Sequence, residues 1–149
     1  MKNMVKLSFL TLIFSFCLIA SSFAKDTSIT GKWKTIDDKT HEPKSIVQIY
    51  EKDGKYFGQI KELFRKPGED PDPVCDKCPD KDPRKDKPTK GMVIIQNLVK
   101  KGNEYSGGTI LDPKEGKIYT CKLWLENGNL MVRGYIMFFF RTQTWFRVE

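Results

Sequence analysis

Gly-Gly-Thr-Ile-Leu-Asp-Pro-Lys-Glu-Gly-Lys-Ile-Tyr (residues 107–119) runs into Thr-Cys-Lys-Leu-Trp-Leu (120–125) and Glu-Asn-Gly-Asn (126–129). Leu-Met-Val-Arg-Gly-Tyr-Ile (130–136) follows, and after Met137–Phe140 the chain continues as Arg-Thr-Gln-Thr-Trp-Phe-Arg-Val (141–148). Asp112-Pro113 with Gly116 marks one break in this stretch, and Asn127-Gly128-Asn129 marks another. Both are turn chemistry between runs rich in β-branched and aromatic residues, so the stretch predicts a β-meander of short antiparallel strands.

Working outward, the same pattern fills most of the chain. Gly31–Asp37 alternates large and polar residues and predicts a first strand. Ser45–Glu51 predicts a second strand, Asp53-Gly54 is the strongest short hairpin signal, and Lys55–Leu63 predicts a third. Gly91–Leu98 and Tyr105–Leu111 add two more before the three C-terminal strands. No helical period is convincing after the first 24 residues. About eight short strands predict an all-β, closed, up-and-down antiparallel barrel.

Two segments lie outside that pattern. Lys2 and Lys6 precede an uncharged apolar run, and Ser22-Phe23-Ala24 supplies small residues where a signal peptidase reads them. Residues 1–24 are therefore expected to be a secretory signal, with export to the periplasm or the exterior. The remaining 125 of the 149 residues make one ordinary domain, residues 25–149. The second exception is residues 65–90, a polar stretch inside Phe64–Lys90, which holds six of the eight prolines. It is too charged to form a core of its own, and its prolines lack the donors of a central strand. It is expected to be a surface excursion whose tip is shaped by Cys75-x-x-Cys78.

Charge excludes more than it assigns. Removing Lys2 and Lys6 leaves 24 basic residues against 19 acidic ones, a charge of +5. The lysines are interleaved with Asp and Glu, whereas nucleic-acid binding calls for a clustered basic stripe. A basic surface of this kind gives weak attraction to anionic envelope surfaces, without stable membrane insertion once the signal is removed. A monomer without a cofactor is expected.

Several residues together carry a family resemblance. They are Gly31-x-Trp33, Cys75-x-x-Cys78, Gly108-x-Ile110-x-Asp112-Pro113-x-x-Gly116-x-x-Tyr119, Val132-Arg133-Gly134-Tyr135 and Arg141-Thr142-Gln143-Thr144-Trp145. In order and spacing, the chain resembles the bacterial secreted family catalogued as domain of unknown function 2147. The resemblance implies a small calycin-type barrel, related in architecture to lipocalins and streptavidin, and implies no particular activity. It further implies that Trp33 lies at the closed end of the barrel with a late arginine, Arg141, packed over its indole. The chain departs from the family between Tyr135 and Arg141. Glycines are usual there, whereas this sequence has Ile136-Met137-Phe138-Phe139-Phe140, which either narrows the mouth or forms a surface patch.

Candidate chemistry is sparse. A local disulfide is expected for Cys75 and Cys78, with Cys121 pointing inward as the odd thiol. Two alternatives stay open: a zinc site of Cys75, Cys78, Cys121 and His41, the lone histidine, and a thiol-active pair. Asp37 and Asp38 are neighbours whose side chains diverge on a strand, so they make no catalytic carboxylate pair. Asp112 is expected to cap a turn. A ligand or partner surface is expected among Tyr119, Arg133, Tyr135, Phe138, Phe140 and Gln143, with Arg133 and Tyr135 outward by strand parity. The expected role is non-enzymatic binding of a small, partly apolar ligand in the barrel mouth or of an envelope protein.

Overall fold

The structure is a computed structural model and describes residues 28–148. The signal-peptide assignment of residues 1–24 lies outside the described residues. Eight strands follow one another: β1 (Gly31–Ile36), β2 (Pro43–Lys52), β3 (Lys55–Leu63), β4 (Val93–Lys101), β5 (Glu104–Asp112), β6 (Lys117–Glu126), β7 (Asn129–Ile136) and β8 (Phe139–Val148). Each pairs with its sequence neighbours, and β8 returns to β1, so the sheet closes as an up-and-down barrel. Closure removes the sheet edges that an open antiparallel sheet of this length would expose.

The strands form where alternation and turn chemistry predict them, with small shifts. β2 starts at Pro43, a strand-opening position that tolerates a missing amide donor; a bulge at Thr35/Ile36 pairs it with Ile36. β4 starts later than predicted and runs on to Lys101, leaving Gly102-Asn103 as the turn.

Inward positions of successive strands build one core. Val47, Ile49, Ile95, Leu98, Leu123, Leu130 and Trp33 are all essentially inaccessible to solvent. At one end the chain before β1 folds across the barrel and buries Ile29. Trp33 Nε1 donates to Ile29 O at 2.8 Å, which satisfies the buried indole. Arg147 lies over the indole at 4.4 Å from the ring centroid, and its guanidinium donates to Thr30 O at 3.2 Å and Ser28 O at 2.8 Å. The barrel is therefore shut at this end by a stacked, hydrogen-bonded cation–indole pair.

This corrects one expectation. The arginine over Trp33 is Arg147, not Arg141. The β1–β8 register sets Trp33 opposite Arg147. Arg141 lies six residues earlier on β8, roughly 20 Å away at strand rise. There it pairs with Asp38 at the opposite end of the barrel.

Candidate functional site

Loops β1–β2, β3–β4, β5–β6 and β7–β8 all emerge at the end opposite Trp33. Beneath them the barrel holds a cavity of about 620 Å³. Its wall is apolar: Ile60, Leu63 and Ile94 on one side, Ile110, Leu111 and Tyr119 on a second, Val132, Ile136, Phe139 and Trp145 on a third. Gly134 also lines it. A Cβ there would fit in ordinary contact with Tyr119 and Ile110, so a longer side chain would extend from the wall into the cavity.

Polar groups in the cavity form one isolated pair and one string. Thr35 and Ser45 hydroxyls, both buried, hydrogen-bond to each other at 2.7 Å. Trp145 Nε1 donates to Gln143 Oε1 at 3.1 Å, and Gln143 Nε2 donates to Asp38 Oδ2 at 2.6 Å. Asp38 also holds Arg141 in an ion pair. The string thus leads from the buried wall out to a charged rim, as suits the orientation of an amphiphilic molecule. Lys44, Arg65, Lys77, Lys114 and Arg141 line the rim against Glu69, Asp76 and Asp112.

The β3–β4 connection lies across this mouth. Cys75 and Cys78 form a disulfide, and both are buried within the barrel core cluster. Cys75 N donates to Lys87 O and Thr89 N to Pro73 O, either side of an isolated Val74–Pro88 bridge. Asp82 accepts from Arg84 Nε and Nη2 in a fork, and Arg84 Nη1 reaches Val93 O at 3.2 Å. The Arg84 guanidinium holds the Asp82 carboxyl below its ordinary range. Gly116, at φ +67°, lets the β5–β6 turn press against this loop: a Cβ there would fall 1.8 Å from Lys77 O. The expectation of a surface excursion thus holds for most of the segment, whose residues are exposed and outside the strands, and needs amending only at the tip. The segment stays out of the barrel wall, but its disulfide is seated in the core. Its turns and ion pairs satisfy the prolines and charges locally, which lets two apolar sulfurs be buried.

The expected site residues divide between the two faces of the sheet. Tyr119 and Gln143 line the cavity, as does Arg141 at its rim, while Phe140 borders the mouth with its ring turned to Arg133 and Tyr135 on the outer face. Arg133 and Tyr135 lie outside it, as parity predicts. Arg133 lies over Trp124 at 5.0 Å and Phe140 at 4.5 Å, and its Nε donates to Thr142 Oγ1 at 2.7 Å. The Tyr135 and Phe140 rings are tilted neighbours at 6.1 Å. Phe138 lines nothing and projects from the β7–β8 turn at 93% exposure.

The zinc set is not brought together. Cys75 and Cys78 are spent on each other, and Cys121 is buried inside the barrel, where desolvation pushes its thiol up to about 12. His41 lies in the exposed β1–β2 turn, and among the described residues no group of three or more His, Cys, Asp or Glu could hold a metal ion. Asp37 accepts from Lys39 N and Thr40 N, which lowers its pKa, and Asp112 caps Lys114 N. Both carboxylates are turn formers. Asp38, Trp145, Phe139 and Gly134 belong to the site as well, although the sequence marked them only as turn, motif or patch residues and not as ligand contacts. Trp145 and Gln143 share a β8 face two residues apart, a period that already pointed to Trp145.

The comparisons with known proteins agree with this geometry. The family model described as "Uncharacterized protein conserved in bacteria (DUF2147)" matches residues 31–147, and the chain belongs to that family. Among solved structures, the chain is similar to protein HP1028 from the human pathogen Helicobacter pylori, described as belonging to the lipocalin family. The TM-score is 0.69 at 20% identity, over 82% of this chain and 84% of the other. At that identity the likeness establishes a shared lipocalin-like barrel fold. No curated protein matches the chain.

Proposed function

We propose that this member of the family is an exported, monomeric, non-enzymatic binding protein that takes a small, partly apolar ligand into the open end of its barrel. The observation that carries the proposal is the cavity of about 620 Å³ with an apolar wall and a single polar string running to its rim. That volume and lining are those of a small-molecule site, where apolar contact supplies affinity and a few placed polar groups fix orientation. A lipocalin-like barrel is a fitting scaffold for such a site. The buried Cys75–Cys78 disulfide is in keeping with an oxidising compartment.

Native mass spectrometry of the protein taken from its own envelope tests the proposal directly. A bound small molecule is the expected result, and Gly134→Leu, which places a side chain in the cavity, should abolish its retention while leaving the barrel folded. An empty protein from the envelope, with no apolar probe taken up at micromolar concentration, would overturn it.

A further inference from the structure

The β7–β8 turn is the least protein-like surface of the molecule. Ile136 is 46% exposed, Met137 87%, Phe138 93%, Phe139 75% and Phe140 61%, the five most exposed large apolar side chains among the described residues. The other three two-residue turns in this barrel are Asp53-Gly54, Asn127-Gly128 and Gly102-Asn103, the last opening on a glycine at φ +62°. Asp53 and Asn127 take φ +52° there, in the left-handed region that Asp and Asn tolerate. Met137 takes the same φ of +52° with a bulky side chain, followed by Phe138. An apolar tip is thus kept at a position where a small polar residue would be less strained.

Its surroundings decide what it meets. The tip stands at the cavity mouth: Ile136, Phe139 and Phe140 line the opening, while Met137 and Phe138 project beyond it. Phe64 and Val74, also exposed, lie at the same end of the barrel. Five cations against three carboxylates line the mouth, and residues 25–149 carry a formal charge of +5. A specific protein interface takes roughly 20–30 residues a side, far more than one hairpin tip presents. A bilayer makes no such demand. Apolar side chains on a protrusion enter the boundary between headgroups and acyl chains, and nearby cations meet anionic headgroups.

We propose that the Ile136–Phe140 hairpin enters the surface of an anionic lipid bilayer and holds the barrel mouth against it. The occupant is the lipid surface, not a protein. The docking stands on its own. That it gives an apolar ligand a route between bilayer and cavity rests on the ligand-binding function proposed above.

The test is co-sedimentation of residues 25–149, which contain the whole barrel, with vesicles of phosphatidylcholine mixed with phosphatidylglycerol and with vesicles of phosphatidylcholine alone. The mixed vesicles should bind more tightly, and added salt should weaken them. Met137→Ser/Phe138→Ser should weaken binding about tenfold or more, because each side chain carries apolar area into the boundary. Neither residue lines the cavity, so uptake of N-phenyl-1-naphthylamine in vesicle-free buffer should be the same in both proteins. No vesicle binding, or equal binding by the double variant, overturns the proposal. A dimer in sedimentation velocity that the double variant dissociates overturns it too, since a second copy then covers the tip. Vesicle binding without naphthylamine uptake supports the docking and sinks the ligand-binding function.

Discussion

Arg147 and Arg141 share one strand and one face, six residues apart, yet they live in different physical regimes. Arg147 is stacked on a buried indole, and its guanidinium satisfies two carbonyls of the segment that seals the barrel. Arg141 is mostly exposed and pairs with Asp38 at the rim of an open cavity. The difference extends to everything around them. At the Trp33 end, large side chains fill the space and buried polar atoms have partners. At the other end, an apolar wall surrounds a cavity, a polar string runs to its rim, and aromatic side chains face solvent. The same eight strands close one end and leave the other open.

Substitutions can break that contrast. The largest loss of stability is expected from Trp33→Ala, about 3–5 kcal/mol, since a buried aromatic, its hydrogen bond and its cation partner all go together. Urea unfolding measures it, and a loss under about 1 kcal/mol would mean the closed end is not what holds the barrel.

The β3–β4 loop gives a sharper test, because it crosses the open end yet buries its disulfide. Cys75→Ala/Cys78→Ala should cost about 2 kcal/mol, the chain-entropy value for so short a loop, with cleavage by protease appearing between residues 64 and 92. An unchanged melting transition would return this loop to the role of an idle surface segment.

Cys121 lies between the two ends, and burial pushes its thiol up to about 12 from an ordinary 9.0. The folded protein therefore keeps a proton that the unfolded chain releases above pH 9. The stability due to this group is whole below that pH and declines as pH rises towards 12, by about 1.4 kcal/mol per unit. Cys121→Ala should flatten that decline, as read by urea unfolding at a series of alkaline pH values. The same burial should keep the native thiol from alkylating reagents that modify it after unfolding.

The smallest effect belongs to the rim. Breaking the exposed pair by Arg141→Gln should cost less than about 1 kcal/mol. Thermal unfolding of this variant beside Arg147→Gln, which should cost clearly more, compares the two arginines directly. Equal losses would erase the distinction between the ends.

The strand pattern was legible throughout. Alternation in Gly31–Ile36 and Lys117–Glu126, with Asp-Gly and Asn-Gly turns, placed the strands to within a few residues, because side-chain period and turn chemistry are local properties. Cys121 pointing inward followed from the same parity. The pairing of Cys75 with Cys78 was legible because residues so close in sequence need no knowledge of the rest of the fold. Arg133 and Tyr135 were likewise assigned outward from their strand positions alone.

What the sequence could not decide was where distant residues meet. Arg141 and Arg147 have the same parity, so only the β1–β8 register, which sets Trp33 opposite Arg147, selects the one that stacks. Asp38 reaches Gln143 and Arg141 across more than a hundred residues of chain, a contact that exists only once the barrel has closed. The loop is the excursion its polar composition predicts, but composition did not show that its tip seats two sulfurs in the core, which it can do because its own turns satisfy its charges. The cavity has no local signature, since empty volume arises from what facing strands leave unfilled. Sequence period determined which side chains face inward, and barrel closure alone decided which of them touch and which leave space.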